Sequence, residues 1–232
     1  MRQIIAIGGG GFGRKITDLK IEKYILNQCS KNNPNICFIP TATGDDQEYI
    51  DSFYEAFNSL GCKTSHIDFF KRTINLEDHI NHQDIIFVGG GNTKSMLAVW
   101  REWGLDKILL DAYNNGVIMS GVSAGAICWF EKGITDSWKN HQAILPCLGF
   151  VKGVCCPHYD EEPERIPFVN EILNQNMIKR CIAIEGYCAL HLIDDLPAYS
   201  VSFGNGNNCF LVNRKKSIIE HNKLINTEEI QL

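Results

Sequence analysis

Along the first 130 residues, short runs of Ile, Val and Phe alternate with longer stretches whose apolar positions recur every three or four residues. The short runs, at 3–8, 35–40, 62–68, 84–88 and 116–120, are bounded by Gly, Pro or Asn. They read as strands buried on both faces. Between them, 17–30, 47–60 and 93 to about 113 read as helices, the last interrupted at Gly104. In the second helix, Ile50, Phe53, Tyr54 and Phe57 fall at i, i+3, i+4 and i+7 and make one apolar stripe. Strand and helix alternating in this way, with right-handed crossovers, predict a three-layer α/β/α sandwich around a mainly parallel sheet.

After Phe130 the rhythm changes. A helix is predicted around 163–176 and short strands at 181–185, 189–193, 199–203 and 209–213. Turn-forming residues separate the strands: Asp194-Asp195-Leu196-Pro197, then Gly204-Asn205-Gly206-Asn207-Asn208. No linker, repeat or low-complexity segment interrupts the chain, so one α/β domain over 1–232, ending in antiparallel strands, is the expected organisation.

Composition narrows the function classes. The 232 residues carry a net charge of −5 with no basic face in the sequence, which disfavours a nucleic-acid partner. The longest nearly apolar stretch, 116–130, is short and rich in Gly and Ser, so no membrane span is expected. The amino-terminal residues lack a signal peptide's long apolar region, and a cytoplasmic location follows as the expectation. Ten cysteines occur without CxxC spacing, several inside apolar runs. They read as buried packing residues, not as metal ligands or disulfides.

The strongest chemical signal is Gly121-Val122-Ser123-Ala124-Gly125, between the strand at 116–120 and a predicted short helix at 124–130. A GxSxG turn from strand to helix presents the serine hydroxyl above the sheet edge, with the next backbone N–H at a helix start where an oxyanion can be held. A second glycine-rich turn, Gly89-Gly90-Gly91-Asn92-Thr93, follows the strand at 84–88 and offers further bare amides.

A serine nucleophile needs a base, and the base an orienting acid. Of seven histidines, His158 ends a strand-like run, Val154-Cys155-Cys156-Pro157, where it can reach a neighbouring strand end. His79 and His82 share a polar helical face, and His191 sits in an apolar strand as a core histidine. Two acids are candidates: Glu185, ending the strand at 181–185 before Gly186, and Asp136, in a loop soon after the GxSxG turn. Gly8-Gly9-Gly10-Gly11-Phe12-Gly13 satisfies the dinucleotide pattern GxGxxG. The second strand, however, ends in Pro40-Thr41 without an acidic ribose holder, so the loop reads as flexible backbone at the sheet edge.

Taken together, the residues from Ile85 through Gly89-Gly90-Gly91-Asn92-Thr93, then Gly121-Val122-Ser123-Ala124-Gly125-Ala126, then Pro157-His158, resemble the peptidase E family of serine peptidases. These are alpha-aspartyl dipeptidases, with cyanophycinase as a more distant relative. The resemblance covers nearly the whole chain and implies a flavodoxin-type, class I glutamine-amidotransferase-like fold. It also implies Ser123 as nucleophile, His158 as general base, and the amides of Gly91 and Ala124 as oxyanion hole. A strand glutamate after the histidine, matching Glu185, would be the third member, with Asp136 as the alternative. Asn92, Tyr159 and Glu161 are the positions expected to contact a small peptide substrate, and no metal or cofactor is expected.

One departure bears on substrate. Aspartyl-specific members carry an arginine in a longer segment after the histidine. Here that segment is short and acidic, Tyr159-Asp160-Glu161-Glu162-Pro163-Glu164-Arg165-Ile166, and its arginine aligns elsewhere. Carboxylates beside the pocket would repel an acidic substrate, so poor cleavage of Asp-X peptides is expected. Two other readings remain open: an esterase of the α/β-hydrolase type using Ser123 with Asp194 or Asp195 and His221, and a non-catalytic ligand-binding protein.

Overall fold

A computed structural model describes residues 1–14, 18–204 and 206–224, and the backbone of 227–229. Thr17 of the first predicted helix and Asn205 of the second predicted turn lie outside the described residues. The first half runs β1 (Gln3–Ile7), α1 (Lys20–Asn27), β2 (Asn35–Ile39), α2 (Gln47–Ser59), β3 (Lys63–His66), α3 (Leu76–Asn81), β4 (Ile85–Val88), α4 (Thr93–Trp103), α5 (Leu105–Asn114), β5 (Ile118–Val122) and α6 (Ala124–Ile127). There follow β6 (Phe130–Trp138), β7 (His141–Pro146), β8 (Val151–Cys156), α7 (Arg165–Asn174), β9 (Arg180–Ile184), β10 (Cys188–Ile193), β11 (Leu196–Ser202), β12 (Cys209–Lys215), β13 (Ile218–Lys223) and β14 (Thr227–Glu229).

The strands form an eight-stranded sheet, β14-β11-β10-β1-β5-β4-β2-β3, and a six-stranded sheet, β13-β12-β9-β8-β6-β7. In the first, β1, β5, β4, β2 and β3 run parallel. The strand β10 turns antiparallel to β1, and β11 antiparallel to β10. The α/β sandwich with a mainly parallel sheet is therefore present. Its period-two alternation sends Ile5, Ile7, Ile36, Phe38, Ile85 and Phe87 to one face, against Ile21, Ile25, Phe53 and Phe57 of α1 and α2. Ile4, Ala6, Cys37, Ile39, Ile86 and Val88 go to the other, against Leu97 and Trp100 of α4 and Leu109 of α5.

The six-stranded sheet lies on this second side; the sequence pattern marks its strands at 181–185 and 209–213 but does not announce a separate sheet. Its Cys155, Ile182 and Ile184 enter the same core. Its far face, with Val154, Cys156, Cys181 and Ala183, packs on Val169, Ile172 and Leu173 of α7. The predicted helix at 124–130 is shorter than expected: only Ala124–Ile127 is helical, and Phe130 already begins β6. The predicted break at Gly104 is present, with φ 70° between α4 and α5. All ten cysteines are free, seven of them buried. Burial pushes up the thiols of Cys37, Cys128, Cys155, Cys156, Cys181 and Cys209, those of Cys37 and Cys156 to about 12, so they act as small apolar side chains.

The sheet geometry gathers the glycine-rich turns at one edge. The carboxyl ends of β1, β4 and β5 lead into Gly8, Gly89 and Ser123. The ends of β8 and β9 are stitched to the same place: His158 N–H donates to Gly8 O (3.1 Å) and Tyr187 N–H to Gly9 O (2.9 Å). A site at strand carboxyl ends is where parallel sheets place their ligands.

Candidate active site

Ser123 sits between β5 and α6 at φ 57°, ψ −109°, a left-handed conformation that an L-residue adopts only under constraint. The constraint is visible in its neighbours. A β-carbon on Gly125 would lie 2.1 Å from Val88 O, and one on Gly121 would lie 2.5 Å from Gly125 O. Both glycines of the GxSxG turn are thus required by close backbone approach, and Ser123 N–H is fixed on Ile7 O at 3.0 Å. Ser123 O accepts from Ala126 and Ile127, leaving the first amides of α6, beginning with that of Ala124, unbonded within the helix.

The second turn runs alongside. Gly90 faces the serine closely enough that a β-carbon there would lie 3.3 Å from Ser123 Cβ and 3.8 Å from its Oγ. Gly91, at φ 132°, passes so near Ala42 O that a β-carbon would come within 2.4 Å of it. The Asn92 side chain is engaged within the protein. Its Oδ1 accepts Ser95 N–H (2.9 Å) as the cap of α4, and its Nδ2 donates to Ser137 O (3.1 Å).

His158 projects from a tight turn after β8, at φ 51°. Its Nδ1 lies 2.6 Å from Glu161 Oε2, and the histidine is largely shielded, its side chain 12% exposed. Arg14, from the short helical turn Phe12–Arg14, clamps the same carboxylate with both terminal nitrogens, Nη2 at 2.7 Å from Oε2. Burial opposes ionisation of Glu161, but the hydrogen bonds from Arg14 and His158 outweigh it and hold the carboxyl below its usual range. Pairing with Glu161 raises the already high affinity of Arg14 for its proton.

Neither acid expected as the third member is the one found bonded to His158. The Glu185 carboxylate accepts Asn208 N–H (2.7 Å), and burial raises its pKa. Asp136 is on β6, exposed, 3.6 Å from the Arg165 guanidinium. The carboxylate bonded to His158 is that of Glu161. Tyr159 also leaves the expected role: it is buried in the core under α7, beside the His221 ring. The acidic segment turns to protein partners as well. Asp160 holds Gly186 N–H and Asn207, and Glu162 holds Arg165.

The glycine run at 8–11 is close-packed where flexibility was expected. A β-carbon on Gly9 would lie 2.5 Å from Glu161 Oε2 and 2.9 Å from His158 Nδ1, and one on Gly186 would lie 2.4 Å from Glu161 Cδ. Small residues here make room for the histidine–glutamate pair. Sequence reasoning missed Arg14, Glu161 in its observed place, and Tyr49. The available signals were the His-x-x-Glu spacing and a glycine run without a ribose holder.

These groups border one cleft of about 430 Å³, lined by Gly10, Arg14, Asp46, Glu48, Tyr49, Gly90, Gly91, Ser123 and His158 among others. The esterase constellation is not assembled there. Asp194 and Asp195 bond Arg2 at the amino end of β1, and Asp195 also accepts Tyr113 OH (2.7 Å). That is the opposite end of β1 from the Ile7 carbonyl on which Ser123 is fixed, about 16 Å along a five-residue strand. His221 lies on β13 of the other sheet.

A serine on a strained turn, amides beside it, and a histidine held by a carboxylate are the parts of acyl transfer. Residues 4–197 match the family model described as Peptidase family S51. The chain belongs to peptidase family S51. It is a serine-type peptidase, a hydrolase, as the motif resemblance implied. The chain is 46% identical over 213 residues to YgaJ, an uncharacterized peptidase of Bacillus subtilis (strain 168), covering 91% of this chain and 92% of that protein. It is 30% identical over 137 residues to Lmo0363, an uncharacterized peptidase of Listeria monocytogenes serovar 1/2a (strain ATCC BAA-679 / EGD-e), covering 55% and 67% respectively. Among solved structures, a peptidase from an acI-B1 Actinobacterium aligns with TM-score 0.66 at 16% identity over 100% of this chain and 97% of that one, a likeness of fold. Among the described residues of this S51 peptidase, no helix is long and apolar enough to cross a membrane.

Proposed function

We propose that the S51 peptidase cleaves small peptides through an acyl-enzyme formed on Ser123, with His158 as general base and Glu161 as the acid that orients it. The observation carrying this reading is the 2.6 Å contact between His158 Nδ1 and Glu161, in the cleft that Ser123 borders. With its Nδ1 proton engaged by the carboxylate, His158 keeps Nε2 as the acceptor for the serine proton. The serine oxygen attacks the peptide carbonyl, and the Gly91 and Ala124 amides stabilise the tetrahedral oxyanion. His158 then protonates the leaving amine, and water resolves the ester with His158 again as base.

The expected disfavour towards acidic substrates keeps its direction on different residues. Asp160, Glu161 and Glu162 are committed to protein partners, whereas Asp46 and Glu48, at the start of α2, border the cleft. The arginine bordering it, Arg14, is already neutralised by Glu161. A peptide with a neutral or basic residue suits such a lining better than Asp-X.

Ser123→Ala should remove turnover of a dipeptide panel and labelling by a fluorophosphonate, with Lys-X and Ala-X cleaved faster than Asp-X by the wild type. Labelling that survives in the alanine variant would refute the nucleophile, and fastest cleavage of Asp-X would refute the charge argument.

A further inference from the structure

We propose that Tyr49 is a substrate-binding residue of this cleft, its hydroxyl donating a hydrogen bond to a peptide oxygen outside the scissile bond; this rests on the peptidase reading above. Tyr49 stands in the first turn of α2, where Asp46 Oδ1 accepts its N–H at 2.9 Å. Its ring is wedged between the two glycine-rich loops. A β-carbon on Gly13 would lie 2.5 Å from its Cε2, and one on Gly89 would lie 2.8 Å from its Cε1. Phe38 and Phe12 pack on it at 5.0 and 5.4 Å between ring centroids. An aromatic ring held on all these sides presents its hydroxyl with little freedom left to lose on binding.

That hydroxyl emerges in the cleft, accepting Gly90 N–H at 3.4 Å, beside the glycine that faces Ser123. Its own proton has no protein acceptor among the described residues. Burial also pushes the phenol up to about 12, so the group stays a donor at neutral pH. A peptide brings acceptor oxygens of two kinds near the attacked carbonyl: a neighbouring backbone carbonyl and a terminal carboxylate. Once substrate displaces water, a donor left unpaired would be costly, so the site selects ligands that place an oxygen there.

The test is Tyr49→Phe, which keeps the ring between Gly13 and Gly89. Inactivation by diisopropyl fluorophosphate, which has no peptide part, should stay within about twofold of wild type, whereas kcat/KM for Lys-Ala should fall about 10-fold, mainly through KM. A fall for both Lys-Ala and its C-terminal amide assigns the bond to a backbone carbonyl. A fall for the free acid alone assigns it to the carboxylate. Unchanged dipeptide kinetics overturn the proposal, as does an equal loss in inactivation and turnover, which would mean disturbed loop packing. A wild type inert to the fluorophosphate overturns the peptidase reading and this one together, and is distinguishable for that reason.

Discussion

In the proposed mechanism the histidine must be held in one tautomer and one orientation, and Nδ1 of His158 contacts a residue only three positions on. Glu161 reaches back because the turn is closed by Glu161 N–H on His158 O (3.1 Å), and because Gly9 and Gly186 leave space for its carboxylate. Arg14 keeps that carboxylate ionised. Glu161→Gln should therefore lower kcat/KM by about 100- to 10,000-fold, the range expected when an orienting carboxylate is lost. Glu185→Gln and Asp136→Asn should stay within about threefold. Steady-state kinetics on the three variants decide it, and a large loss in Glu185→Gln alone would return the role to the strand glutamate. The turn carrying Ser123 was legible because its glycines permit a close backbone approach that other residues forbid, and the position of His158 because it ends a strand-like run. Glu161 was not, since a glutamate in a polar turn looks the same whether it faces water or an imidazole; only the packed glycines across the loop tell the two apart.

Elements show the same division between what pattern encodes and what contact adds. The parallel strands were readable because burial on both faces forces near-continuous apolar runs. In β6 and β7 only Phe130, Gly133, Ile134, Thr135 and Leu145 are buried, interspersed with Glu, Lys, Asp and Gln, so neither strand stands out from a loop. The start of helix α4 shows what contact adds. Asn92, adjacent to the glycine turn, looked like a substrate contact, but its side chain holds Ser95 N–H and Ser137 O, tying the helix start to β6. Asn92→Ala should cost about 1–2 kcal/mol, the loss of a cap plus one further bond. Asn92→Asp, which can still accept from Ser95, should recover about half of that. Urea unfolding of the two variants measures the difference; equal losses in both would show that the cap itself contributes little.

At the scale of the whole molecule, the parallel core and its antiparallel extension are joined through buried polar contacts whose sum is pH-dependent. His191, on β10, is 1% exposed; its Nδ1 lies 2.8 Å from Tyr24 OH of α1 and its Nε2 lies 3.0 Å from Gln3 Oε1 of β1. It is the core histidine that its apolar strand suggested, and it bonds three elements of one sheet face. Burial lowers its pKa to about 4, from an ordinary 6.5. The folded protein therefore binds fewer protons here than the unfolded chain between these two values. The contribution of His191 is complete above about pH 6.5 and is lost as pH falls towards about 4, since each pH unit of that window carries up to about 1.4 kcal/mol. Glu161, with its lowered carboxyl pKa, acts in the same sense further down, losing its stabilisation only as pH drops through its folded value. Replacing His191 by glutamine removes the first titration and leaves the second. The stability difference between wild type and His191→Gln should thus narrow by roughly 3 kcal/mol from pH 7 to pH 4, most of it between pH 6 and 4. Urea midpoints measured at four pH values for both proteins give that difference directly. Parallel pH profiles would mean that the imidazole takes up its proton as readily in the fold as in the unfolded chain, contrary to its burial.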